Sequence, residues 1–333
     1  MNVNYYEITD PVYRTTWKKR NQPGYVLVEP TQYWKIPIRE QGWKPTPCCL
    51  TTRFKVMDNE FRNMEIHKDD IWLGSFPKSG TTWSQEMVWL ICNNLDYEQA
   101  RKNKLIMRFP FVEINSIANV PSDFFKLARE MPSPRFIKTH LPVSLLPDQI
   151  WTVKPKIVYV YRKPKSVIVS YYHHCVTLAN YNGTLEEFTR SFMRDLQVYT
   201  PYHNHVIEYH KIDHLDNVLL LNYEDMKTDL VEVIRRVCVF FNKSYTDEQI
   251  TELCNHLSFE SMKNNPSVNA QEMVDMVLAQ TNRLQEKDNM NRQFIRKGQI
   301  DGWKTDLSPE LAEEIDDWTR SNVKTATYQK LFL

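Results

Sequence analysis

Apolar and polar positions follow two rhythms along this chain. Short, nearly continuous apolar runs occur at Ile71-Trp72-Leu73, Phe136-Ile137-Lys138, Lys156-Ile157-Val158-Tyr159-Val160-Tyr161 and Val218-Leu219-Leu220-Leu221. Such runs suit strands of a parallel sheet buried on both faces. Between them, apolar residues recur at helical spacing, as in Trp83, Met87, Leu90 and Ile91, which stand at i, i+4, i+7 and i+8. The spacing predicts helices over residues 81–94, 164–178, 185–211 and 230–241. Strands alternating with helices predict an α/β fold, a doubly wound parallel sheet with helices on both faces. Ligands of such sheets bind at the carboxyl ends of the strands. Residues 1–50 are rich in Pro, Tyr, Trp and Lys and have weak periodicity. They read as an extended N-terminal arm packed on the core. With no repeat, low-complexity tract or linker evident, residues 51–333 read as one domain.

Composition narrows the partners. Among 333 residues, 42 basic side chains nearly balance 41 acidic ones. That balance argues against a general nucleic-acid binder, whose footprint is a basic excess. Only 7 residues are glycine, against an average usage of about 7%. Gly74, Gly80, Gly298 and Gly302 fall in two motifs described below, where a special backbone angle or close approach to a ligand is expected. No Gly-x-Gly-x-x-Gly is present, which excludes a Rossmann dinucleotide fingerprint. The six cysteines lack Cys-x-x-Cys or zinc-finger spacing and read as reduced, mostly buried thiols. The first residues show neither a basic n-region nor an apolar h-region, and no apolar run nears the ~18 residues of a membrane span. A cytoplasmic protein without membrane attachment is expected.

The first strand leads into Ser75-Phe76-Pro77-Lys78-Ser79-Gly80-Thr81-Thr82-Trp83, a tight loop that opens a helix. A helix N-terminus presents unpaired N–H groups and the positive end of its dipole to an anion. Lys78 adds a charge, and Ser79, Thr81 and Thr82 add hydroxyl donors. The nucleotide-triphosphate loop ends Gly-Lys-Ser/Thr, whereas here Lys78 precedes Gly80 by two residues. The loop is thus P-loop-like and built for a phosphate or a related anion.

Two further strand ends carry chemistry. In Lys138-Thr139-His140-Leu141-Pro142, a cation and a titratable base stand two residues apart and share a face while the strand continues. His140 is the candidate general base. The next strand end reads Arg162-Lys163-Pro164, with Ser170 two helical turns further on. A nucleotide triphosphatase places a Mg²⁺-binding aspartate at such a position. The run contains none, which points to a nucleotide read by cations rather than through a metal. Near the C-terminus, Arg296-Lys297-Gly298 joins a bidentate fork, a point charge and a backbone free to approach an anion.

Taken in order, Pro77–Trp83, Lys138–Pro142, Arg162 with Ser170, Tyr223-Glu224-Asp225-Met226 and Arg296–Gly298 resemble the cytosolic sulfotransferases over residues 45–320. Gln85–Ile91 resembles insect members, among them the retinol dehydratase type. The resemblance implies the donor 3′-phosphoadenosine 5′-phosphosulfate (PAPS), which leaves 3′-phosphoadenosine 5′-phosphate (PAP). It implies that Lys78 and Ser79, Gly80, Thr81, Thr82 and Trp83 hold the 5′-phosphosulfate. Arg162, Ser170, Arg296, Lys297 and Gly298 would hold the 3′-phosphate, and Tyr223, Ser258 and Phe259 would line the adenosine. His140 would act as base, with Lys138 and Lys78 at the sulfonate in transfer. Arg108–Ile114 resembles the acceptor gate, which makes Phe111 and Ile114 an apolar wall beside Lys138 and His140. The implied acceptor is a small hydrophobic alcohol or phenol, and no metal is required.

Two departures stand out. The family's Arg-Lys-Gly-x-x-Gly-Asp-Trp-Lys appears as Arg296-Lys-Gly-Gln-Ile-Asp301-Gly302-Trp-Lys304, so the local turn differs. The family's dimer segment aligns with Lys304, Ser308, Pro309 and Glu313, with proline in place of valine; a monomer or an altered homodimer is expected. A nucleotide kinase or NTPase and a catalytically silent nucleotide-binding protein are the alternatives. The first lacks its Gly-Lys-Ser/Thr, and the second leaves Lys138 with His140 unexplained. Sulfonation followed by elimination is a further possibility within the same class.

Overall fold

The computed structural model describes residues 3–10, 24–286 and 292–333. The predicted strands form a four-stranded, all-parallel sheet: β4 (Ile71–Ser75), β5 (Phe136–Thr139), β6 (Lys156–Tyr161) and β7 (Val218–Asn222). Their spatial order is β5-β4-β6-β7. From β4 the chain first moves to one side and then returns to the other. The crevice at the carboxyl end of β4 is therefore the point where the winding reverses, the place where doubly wound sheets bind ligands.

Both faces of the sheet are covered, as the unbroken apolar runs require. Trp72, Ile137, Ile157 and Tyr159 point into one core, and Ile71, Leu73, Val158, Val160 and Leu221 into the other. Helix α1 (Thr81–Cys92) packs Met87, Val88, Leu90 and Ile91 into the second core. Helix α2 (Pro164–Leu178) places Val167, Ile168 and Val169 in the first, with Pro164 in its opening turn. No helix among the described residues is long and apolar enough to cross a membrane.

Two regions differ from the sequence expectation. The span 185–211 forms two helices, Leu185–Met193 and Tyr202–His210. Pro201 has no N–H to continue a helix, and Asp195 and Tyr199 take left-handed backbone angles. The freed backbone pairs with Cys49: Tyr199 N–H donates to its carbonyl (2.7 Å), and its N–H donates to Thr200 (2.8 Å). Toward the N-terminus, β1 (Val3–Glu7), β2 (Tyr25–Pro30) and β3 (Cys48–Thr51) form an antiparallel sheet. Val26, Val28, Cys49 and Leu50 from it share the first core with Trp72 and Ile137. All six cysteines are free, four of them buried.

Candidate active site

The loop after β4 is shaped by two left-handed residues, Lys78 (φ 68°) and Gly80 (φ 108°). At Gly80 a Cβ would sit 2.7 Å from the Tyr223 ring, so only glycine fits. No side chain caps α1, which leaves its first N–H groups available to an anion. The Ser79 hydroxyl is buried without a hydrogen-bond partner. The Thr81 hydroxyl, in contrast, is engaged with Ser75 Oγ at 2.7 Å, so Thr81 offers its backbone only. Trp83 meets Tyr223 edge-on at 5.7 Å, and the two rings frame the floor beside Gly80.

Cations converge on this loop. Burial, then Lys138, Arg162 and Arg296 in that order, push the Lys78 ammonium down to about 7. Its Nζ lies 4.3 Å from the Phe294 ring centroid. Arg162, just past β6, stacks on Tyr223 at 4.0 Å and donates through Nη2 to the Gln299 carbonyl at 2.7 Å. Its Nε is buried without a partner. Lys78, Ser170 and Arg296 line one cavity with Phe294.

In the C-terminal motif, Arg296 Nη1 stands 3.6 Å from an Asp306 carboxylate oxygen. Gly298 (φ 60°) packs against Phe259, whose ring would lie 2.2 Å from an added Cβ. Phe259 is thereby tied to the loop, while Ser258 is exposed and caps the helix Phe259–Asn264. The Lys297 ammonium turns to Asp306 (2.8 Å) and Thr305 (2.7 Å). Gly302 takes no left-handed angle and has ordinary space around an added Cβ, so the special requirement expected there is not met.

On the other side of β4, the Phe111 ring joins the two residues of the second motif. Lys138 Nζ stands 4.3 Å from its centroid, and the His140 ring 4.9 Å from it at 75°. Phe111 bridges to Lys138 as a short parallel extension of the sheet, and Ile114, three residues on, is also buried. His140 Nδ1 lies 2.7 Å from the Ser75 carbonyl. A carbonyl only accepts, so Nδ1 carries the proton of the neutral ring and Nε2 presents its lone pair. Burial, then the Lys138 charge, hold His140 well below the usual histidine range. Burial also lowers Lys138 to about 8, against the opposing pull of Glu113.

Two residues to which the sequence reading gave no role fix this corner. Glu113, fully buried, accepts the His140 backbone N–H and the Thr139 hydroxyl (3.1 Å) through Oε1. His205 Nε2 donates to the His140 carbonyl at 2.8 Å, and its Nδ1 accepts from Tyr159 at 2.9 Å. The peptide of His140 is held from both sides. Removing the carboxylate strands a buried N–H and a hydroxyl, which costs about 1–3 kcal/mol or more. Glu113→Ala is expected to shift the urea midpoint down accordingly, and a wild-type midpoint would refute this bonding.

The family model described as Sulfotransferase domain matches residues 68–327. The chain belongs to the sulfotransferase family. It is 37% identical over 296 residues to luciferin sulfotransferase of Photinus pyralis, covering 84% of this chain and 78% of that protein. Identity to Sulfotransferase 1E1 of Homo sapiens is 33% over 265 residues, 79% of this chain and 86% of that one. A solved structure of retinol dehydratase in complex with androsterone and inactive cofactor PAP superposes with a TM-score of 0.80, at 27% identity and 97% coverage of both chains. This sulfotransferase is thus an enzyme that takes sulfonate from PAPS, and the kinase and silent-binder alternatives fall away. Its residues fit that donor: an uncapped helix start, an orphaned buried hydroxyl at Ser79, a buried guanidinium Nε without a partner and a converging set of cations are what a nucleotide with anionic groups at both its 5′ and 3′ positions requires.

Proposed function

We propose that this sulfotransferase transfers the sulfonate to the hydroxyl of a small hydrophobic alcohol or phenol, with His140 as general base and no metal. The observation that carries this reading is the placement of a neutral imidazole and a cation, His140 and Lys138, on one aromatic wall beside the Lys78 loop. When bound, PAPS supplies the sulfonate and leaves as PAP. Lys78, the Ser79 hydroxyl and the backbone of Gly80, Thr81, Thr82 and Trp83 hold the 5′ end. Arg162, Ser170, Arg296 and the Lys297-Gly298 backbone hold the 3′-phosphate. Tyr223, Trp83 and Phe259 flank the base, with Ser258 at the rim. Phe111 and Ile114 shape the acceptor wall. His140 Nε2 takes the hydroxyl proton, while Lys138 and Lys78 face the charge that develops during transfer. Because His140 is held neutral, its supply of free base is complete at physiological pH; its weak proton affinity is offset by the neighbouring cations, which acidify the acceptor.

Donor recognition by cations gives a first test. PAP should bind in EDTA, and more tightly than adenosine monophosphate by on the order of 10²-fold, since each hydrogen bond to a charged group is worth about 1.5–3 kcal/mol. Equal affinity for the two nucleotides in calorimetry would remove the 3′-phosphate readers from the account.

The same cations give binding a pH signature. With Lys78 lowered to about 7 in the free protein, the group is largely neutral at pH 8. An anion favours the charged form and raises that pKa. PAP binding near pH 8 should therefore take up protons, and affinity should fall as pH rises through 7. Calorimetry in two buffers of different ionisation enthalpy reads the uptake directly. Proton release would contradict the assignment.

The chain from residue 51 onward acts as one domain in this reading, and its assembly differs from the family's usual dimer. Pro309 occupies the first turn of the helix Pro309–Asn322 behind the Ser308 cap. It offers neither the valine side chain nor an N–H to a partner chain. Light scattering is expected to show a monomer, or a dimer indifferent to Pro309→Val. A dimer broken by Glu313→Lys would refute this.

A further inference from the structure

His173 is an imidazole at the active site to which the mechanism above gives no part. It stands three residues beyond Ser170, on the same face of α2, and lines one cavity with Ser170, Arg296 and Lys78. The side chain is 29% exposed, yet its Nε2 is buried without a hydrogen-bond partner among the described residues. That nitrogen stands 3.7 Å from Asp306 Oδ1, outside hydrogen-bond reach. Burial, then the Arg296 charge, lower the ring to about 4 against the opposing pull of Asp306. His173 is therefore neutral at physiological pH, and its contact with Asp306 is no ion pair. Asp306 is engaged elsewhere: its Oδ2 accepts from Lys297 at 2.8 Å and lies 3.6 Å from Arg296 Nη1. A buried ring nitrogen with no partner costs free energy until something pairs it.

We propose that His173 is a further reader of the donor's 3′-phosphate, donating its Nε2 proton to a phosphate oxygen beside Ser170 and Arg296. That role rests on the 3′-phosphate assignment proposed above and adds a residue to it. The cavity sets His173 with two of the residues assigned to that phosphate. Donors there are short in supply. The Lys297 ammonium is taken by Asp306, and Arg162 Nη2 by the Gln299 carbonyl. A terminal phosphate presents three strong acceptor oxygens. A neutral imidazole carries one proton, on either nitrogen. The Asp306 carboxylate and an arriving phosphate both favour the form that carries it at Nε2. The competing role is a spacer that sets Asp306 and, through it, Lys297. That role needs a hydrogen bond which the 3.7 Å separation does not allow.

The test is the ratio of PAP affinity to adenosine 5′-monophosphate affinity, read by calorimetry at neutral pH, since the two nucleotides differ in the 3′-phosphate alone. Wild type should favour PAP. His173→Phe keeps a ring and removes both nitrogens, and the preference should fall roughly 10-fold or more, the worth of a hydrogen bond to a charged group. Affinity for adenosine 5′-monophosphate should hold, which also shows that the variant is folded. His173→Gln places an amide N–H near the Nε2 position and should recover part of the preference. In an Asp306→Asn background, His173→Phe should cost the same factor, because the bond to phosphate does not pass through Asp306. An unchanged preference in His173→Phe would overturn the proposal, as would a loss that vanishes in the Asp306→Asn background. If wild type itself binds the two nucleotides equally, the 3′-phosphate assignment fails and the role of His173 with it. If wild type discriminates and His173→Phe discriminates as well, only the role of His173 fails.

Discussion

His140→Ala is expected to cut turnover by ~10²–10⁴-fold while leaving PAP affinity nearly unchanged. The reason lies in how the imidazole is held. Nδ1 is committed to the Ser75 carbonyl, so the only basic atom is Nε2, on the side of the Phe111 wall and Lys138. Removing the ring removes the proton acceptor and leaves the donor cations, Lys78, Arg162 and Arg296, in place. The backbone clamp from Glu113 and His205 binds the peptide of residue 140 and survives the substitution. The variant should therefore fold, and its urea midpoint checks this. A loss of turnover of this type, with donor binding intact, separates transition-state chemistry from ground-state binding. If the folded variant keeps near-normal turnover, His140 is not the base.

Lys78→Ala is expected to lower turnover by roughly 10²–10³-fold and, unlike the first variant, to weaken PAP binding as well. Lys78 is the residue on which the other cations converge, and its left-handed backbone aims the side chain from the loop into the shared cavity. Such an arrangement is costly without an anion, since burial and three like charges all oppose protonation. A bound anion relieves this opposition, so the lysine contributes to binding and more strongly to the transferring group. Lys78→Arg should recover donor binding better than turnover, because a planar fork restores the charge but not the position. Titration showing unaltered PAP affinity for Lys78→Ala would contradict this role.

Much of this site was legible because its parts sit at the ends of apolar runs. Ile71–Leu73 and Lys156–Tyr161 can only be buried strands, and a glycine-poor chain that spends Gly80 right after one of them signals a tight anion loop. The Leu185–Lys211 stretch misled because its apolar spacing is helical on both sides of Pro201; the proline marks the break, and Tyr199 uses it to reach 5.5 Å from the His140 ring. The N-terminal sheet was hidden because β2 and β3 pair across a long intervening segment without a hairpin signal, and β3 is only four residues long. Glu113 had a visible signal, a lone carboxylate within Phe111-Val112-Glu113-Ile114. Its partner, the backbone of His140, is a tertiary fact. Lys297 illustrates the opposite limit: a basic residue in a phosphate motif whose charge is already taken by Asp306.

The central claim is a metal-free transfer in which His140 removes the proton. One turnover from a stoichiometric complex of enzyme and labelled PAPS, started with a phenol in EDTA, tests it most directly. The account predicts sulfonated phenol and PAP in equal amounts, at a rate that Mg²⁺ does not raise and that His140→Ala lowers by ~10² or more. Transfer that stops in EDTA and returns with Mg²⁺, or that runs at the same rate without His140, would contradict it.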